Sequence, residues 1–80
     1  MNFGEALQAM KEGHKISRSI WGGYWYLATD ARMEHDTGGG YMRACGFKNI
    51  IVAVLKDNGG CAPAQPYQAD ILADDWKIVD

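Results

Sequence analysis

Proline, cysteine and histidine occur only twice each in these 80 residues. Two cysteines, Cys45 and Cys61, read in a reducing compartment as free, half-buried thiols rather than a disulfide. No C-x-x-C or H-x-x-x-H spacing joins them to each other or to His14 and His35, so no metal site is expected. No apolar run exceeds Ile50–Leu55, far short of the roughly 20 residues that span a bilayer. The start, Met1-Asn2-Phe3-Gly4-Glu5, lacks the basic and apolar regions of a signal peptide. A soluble, intracellular protein without a membrane partner is expected. Positive charge is scarce too: Lys+Arg 8 against Asp+Glu 10 leaves a net charge of −2. That balance disfavours a grip on duplex nucleic acid, which rests on neutralising phosphates. Neither a G-x-S-x-G elbow nor a G-x-x-x-x-G-K-[ST] phosphate loop occurs, so neither an enzyme nor a cofactor is expected.

Aromatic residues, by contrast, are concentrated. Of the chain's Trp 3, Tyr 4 and Phe 2, Trp21, Tyr24, Trp25 and Tyr26 fall within Arg18-Ser19-Ile20-Trp21-Gly22-Gly23-Tyr24-Trp25-Tyr26. Aromatic rings supply apolar area with a polar handle. Glycines let a backbone come close to a neighbour, and arginine adds a planar cation. The stretch reads either as a nucleotide-sized pocket or as the packed centre of a very small domain.

The periodicity predicts one helix. Phe3, Ala6, Leu7 and Met10 share a face, Asn2 is a good N-cap with Glu5 three residues on, and Gly13 is a left-handed terminator. His14–Arg18 reads as extended, Gly22-Gly23 as a bend, and Tyr24–Thr29 as a strand with Tyr24 and Tyr26 on one side, Trp25 and Leu27 on the other. Both sides being aromatic, a cover is expected on each: core on one, a partner or ligand on the other. Asp30 to Gly40 reads as a mobile, glycine-rich loop, and Tyr41–Phe47 as its continuation or an irregular strand. Asn49–Lys56 is the clearest strand, Asp57-Asn58-Gly59-Gly60 a turn, and Cys61–Ala64 an edge strand that tolerates Pro63. A helical turn near Gln68–Leu72, with Ile71 and Leu72 buried, precedes a last strand Trp76–Val79 with Trp76 and Ile78 inward. The fold class is α+β: a single domain over 1–80, its N-terminal helix packed on a small twisted antiparallel sheet, with a glycine-rich loop near 30–47.

Asn2-Phe3-Gly4-Glu5-Ala6-Leu7, the Trp21-Gly22 shortly after Arg18, and Gln68-Ala69-Asp70-Ile71-Leu72-Ala73-Asp74-Asp75-Trp76 resemble the second type of phage Thoeris anti-defence protein. These blocks cover about a third of the chain, and Asp30–Phe47 departs from the family pattern. The resemblance implies a non-catalytic sponge in the cytoplasm of the infected bacterial host. Such a sponge binds cyclic ADP-ribose isomers, including glycocyclic ADP-ribose, made by TIR-domain proteins, and so blocks effector activation. It also implies a homotetramer with pockets between subunits and, in some members, cyclic di- or trinucleotides held at a separate site.

On that reading Trp21 and Trp25 stack on adenine or flank the riboses, or else they are core. Tyr24 offers a hydroxyl to ribose or phosphate. Arg18 pairs with a pyrophosphate oxygen or stays a solvated surface charge. Gln68, Asp70 and Asp75 offer acceptors, Asp75 preferred to Asp74 for its place beside Trp76, which itself reads as core. Arg32, Arg43 and Lys48 flank the glycine-rich segment and make either a second, phosphate-rich ligand site or a solvated face. The alternative is a structural or interaction protein of a phage or prophage with no small-molecule ligand.

Overall fold

The computed structural model describes residues 1–36, 39 and 42–80. Helix α1 (Phe3–Lys11) forms as its ends dictate. The Asn2 side chain accepts from the Glu5 amide at 2.8 Å, and Glu5 accepts from the Asn2 amide at 3.0 Å. At the other end Gly13 takes φ +96, its amide donates to Met10, and His14 donates back to Ala9. That pairing closes the helix with a left-handed residue. Ala6, Ala9 and Met10 are buried, with Phe3 and Leu7 partly so.

Strands β1 (Ile16–Arg18), β2 (Tyr24–Ala28), β5 (Ile50–Val54), β6 (Cys61–Pro63) and β7 (Trp76–Ile78) form one antiparallel sheet in the order β6-β5-β2-β1-β7. Strands β3 (Arg32–Asp36) and β4 (Met42–Gly46) pair as a separate antiparallel ribbon inserted between β2 and β5. The α+β architecture expected from the sequence is therefore the one observed. Arg32–Asp36 differs from the expected loop, whereas Met42–Gly46 answers to the strand alternative: ten residues pair across the ribbon, Arg32 with Gly46 through Asp36 with Met42. Arg32–Asp36 holds no glycine, and ladder hydrogen bonds to a facing strand satisfy its backbone. Thr37, Gly38, Gly40 and Tyr41, the centre of the loop expectation, lie outside the described residues.

One face of the five-stranded sheet packs under α1, where Ile16, Trp25 and Trp76 complete the core. Trp76, 2% exposed, is its hub. Phe3, Trp21 and Trp25 surround it at ring-centroid distances of 5.5, 5.2 and 5.4 Å, Trp21 edge-on at 87°. Its indole N–H donates to the Asp70 carbonyl at 2.9 Å, so the polar handle of a buried ring is satisfied. On the opposite face Tyr24 and Tyr26 lie side by side, centroids 6.5 Å apart, beside Val54 and Val52 of β5.

Three burial expectations are corrected. Ile71 and Leu72 are 47% and 75% exposed, because helix α2 (Gln68–Ile71) is a single turn that presents Asp70 inward instead. The Asp70 carboxylate accepts from Arg18 and from the Tyr67 amide, both at 3.0 Å, and these bonds orient the turn. Ile78 is 45% exposed; β7 is an edge strand, paired only to β1, so its second residue inward is not closed over. Cys45 and Cys61 are free, as expected, but exposed rather than half-buried.

Candidate functional site

The segment between β1 and β2 is shaped by two close approaches. A Cβ built on Gly23 would stand 2.2 Å from the Val54 carbonyl oxygen, and one on Gly22 would stand 2.7 Å from Lys56 Cδ. The bare glycine backbone therefore lies directly against the end of β5. The Ser17 hydroxyl donates to the Gly23 carbonyl at 2.8 Å and ties the bend to β1. The bend holds Trp21 over Trp25, ring centroids 5.0 Å apart at 39°. Trp25 is buried, whereas Trp21 is half-buried and keeps part of its ring in solvent.

Beside these rings lies a cleft of about 380 Å³, bounded by Trp21, Gly22, Tyr24, Trp25, Val54 and Lys56 among others. Ligand pockets commonly range from about 300 to 1,000 Å³ and are apolar with a few polar groups. Among the described residues lining it, Lys56 is the only charged one.

Behind Trp21 stands an ion cluster. Arg18 Nε donates to Asp75 at 2.9 Å and Nη1 to Asp70 at 3.0 Å, while the guanidinium carbon sits 6.0 Å from the Trp21 ring centroid. The Ser19 hydroxyl donates to the Asp75 carbonyl at 3.1 Å. Hydrogen bonding to Asp75 and then to Asp70 raises the Arg18 pKa. The Arg18 hydrogen bond in turn holds the Asp75 carboxyl below its ordinary range. One cation between two carboxylates leaves this corner with a formal charge of −1.

Arg18, Trp21, Trp25, Asp70 and Asp75 thus come together around Trp76, across a sequence separation of more than 50 positions. Trp25 answers to the core alternative, and Trp21 bridges core and cleft. Arg18 is neither solvated nor unpaired. Tyr24 projects to the opposite sheet face from Trp25, where the Lys15 ammonium lies 5.2 Å from its ring centroid. Gln68 opens α2 and is exposed. Arg32 lines a second cleft of about 300 Å³ with Phe47, Cys61 and Pro63. Arg43 sits opposite His35, three positions along the ribbon from the Arg32–Gly46 pair, a separation of roughly 10 Å. Lys48 is exposed in the connection to β5.

Lys56 was missed by sequence reasoning. Its position follows a strong strand and precedes a strong turn, both of which account for it locally. Only the β2–β5 register, Tyr24 opposite Val54, brings it to the glycine bend.

A family comparison adds to this geometry. The profile of the Thoeris anti-defense 2-like domain matches residues 1–79 of the chain. Thoeris anti-defense 2 of Bacillus phage SP01 is 39% identical over an 85-residue alignment that covers 99% of this chain and 94% of the phage protein.

Proposed function

The chain belongs to the Thoeris anti-defense 2-like family, and on that basis we propose that it is an anti-defence protein that sequesters a cyclic ADP-ribose-type signal. The observation that carries this reading is the cleft of about 380 Å³ whose lining includes Trp21, Tyr24, Trp25 and one lysine. Its aromatic wall suits adenine, since a base stacked on an aromatic side chain gains about 1–3 kcal/mol. The glycine bend lets a ligand approach the backbone. Sequestration asks for affinity and not for chemistry on the ligand, each tenfold in affinity being about 1.4 kcal/mol. The reading places the protein's work in the cytoplasm of an infected bacterium, where it would keep the signal from its effector.

Assembly into a homotetramer belongs to the same proposal. It is supported by the exposed Tyr67, Ile71 and Leu72 and by the half-buried Tyr24 and Tyr26, surfaces that a small domain gains by burying further. A cyclic di- or trinucleotide is a second reading, favoured by Arg32 and Phe47 at the second cleft.

A thermal-shift panel of cyclic ADP-ribose isomers and cyclic di- and trinucleotides tests the function. A ligand at a hundred times its Kd stabilises the folded state by about 2.7 kcal/mol. The bound ligand is expected back chemically intact after the protein is denatured. Recovery of a cleaved product would replace the sponge with an enzyme. No shift with any member of the panel would leave the structural or interaction role as the better reading.

A further inference from the structure

We propose that Lys56, and not Arg18, is the anion-binding residue of the cleft, and that it receives the pyrophosphate of the sequestered ligand. The inference rests on the function proposed above and assigns an orientation to the ligand of that site.

The two cations nearest Trp21 are in opposite electrostatic states. Arg18 already donates to two carboxylates, Asp75 at 2.9 Å and Asp70 at 3.0 Å. A phosphate brought there meets a corner of net charge −1, and displacing the Nη1 bond would take the cation from Asp70, which is only 8% exposed. Burying an unpaired charge is costly. Lys56 has no carboxylate partner among the described residues. Its stem lies along the glycine bend: a Cβ on Gly22 would stand 2.7 Å from Cδ, 3.1 Å from Cβ and 3.5 Å from Cγ. The missing side chain at Gly22 is the space that the lysine stem uses.

The backbone beneath Lys56 is held on both sides. The Leu55 amide donates to the Gly60 carbonyl at 2.9 Å, and the Gly59 amide donates to the Lys56 carbonyl at 3.1 Å. Asp57 and Asn58 occupy the left-handed region within that turn. The cleft is therefore polarised along the bend, with surplus carboxylate behind Trp21 and an unpaired ammonium beyond Gly22. A nucleotide entering it lays its base on Trp21 and turns its phosphates toward Lys56. The base's amino group then faces the acidic corner, and its anion lies away from it.

The test measures binding of glycocyclic ADP-ribose by calorimetry at low and high salt. The proteins compared are wild type, Lys56→Gln, Gly22→Ala and the charge-matched control Lys77→Gln, whose lysine is exposed on β7. Lys56→Gln is expected to keep the wild-type Tm and to lose about tenfold to a hundredfold in affinity, the size of a charge-assisted hydrogen bond. It is also expected to flatten the salt dependence that a solvent-facing ion pair confers. Gly22→Ala, which pushes the stem aside, is expected to lose part of that affinity, and Lys77→Gln none. Wild-type affinity in Lys56→Gln, or an equal loss in Lys77→Gln, overturns the inference while leaving the sponge in place. A wild-type protein that does not bind the probe overturns both.

Discussion

Gly23 approaches β5 so closely that a Cβ placed on it would stand 2.2 Å from the Val54 carbonyl oxygen. A backbone oxygen in a paired strand cannot step aside as a flexible side chain can. Gly23→Ala is therefore expected to cost about 1–3 kcal/mol or more of stability, the range for overfilling a packed site. Gly22→Ala meets only the lysine stem and is expected to cost clearly less. Urea unfolding of the two variants checks this; equal losses would mean that the bend is not pinned to β5.

Arg18 holds two carboxylates from a distant part of the chain, so its loss strands both. Arg18→Met is expected to lower the Tm by more than Asp75→Asn, which leaves the Asp70 bond intact. The pH dependence follows from the sign of the shift. Asp75 titrates below its ordinary value in the folded protein, so its contribution is present above the unfolded pKa of about 3.8. It is lost as the pH falls through the folded value. Wild type and Arg18→Met should converge in stability under strongly acidic conditions, and a gap that stays constant from neutral to acid pH would contradict the ion cluster.

His14 Nδ1 contacts the Asp80 carboxylate, whose other oxygen accepts from the Lys15 amide at 2.7 Å. The Asp80 hydrogen bond raises the His14 pKa. A raised histidine contributes its full stabilisation below its unfolded pKa and loses it as the pH rises through the folded value. Asp80→Asn should bring the His14 titration, followed by NMR of the ring protons, down toward 6.5. An unchanged titration curve would show that the contact is not formed in solution.

The three tryptophans should separate by role. Trp76→Ala removes a ring that is 2% exposed and is expected to cost about 3–5 kcal/mol of stability. Trp21→Ala is expected to destabilise less and to weaken ligand binding by about 1–3 kcal/mol, the worth of a stacked base. Trp25→Ala should behave more like Trp76→Ala. Paired unfolding and binding measurements check the division; a Trp21→Ala protein that folds and binds with wild-type affinity removes that ring from the site.

The amino-acid order alone made α1 legible, because caps and periodicity act over a few residues: Asn2, Glu5 and Gly13 each do in the fold what their type favours. The strands at Tyr24, Ile50, Cys61 and Trp76 were legible for the same reason, as was the turn after Lys56. The aromatic bend was visible as a concentration of rings and glycines. The alternation of a strand, which sends Tyr24 and Trp25 to opposite faces, was legible as well.

Contacts between distant segments were not legible. Nothing near Arg18 announces Asp70 and Asp75, and nothing near Gly22 announces Lys56; each meeting depends on how β1, β2, β5 and β7 are ordered in the sheet. The same holds for β3, which forms against the facing β4, and for Ile71 and Leu72, which a single turn anchored by Asp70 leaves in solvent. Local propensity is written in neighbouring residues. The charge state of a site is set by whichever residues the packed sheet brings within a hydrogen bond of one another.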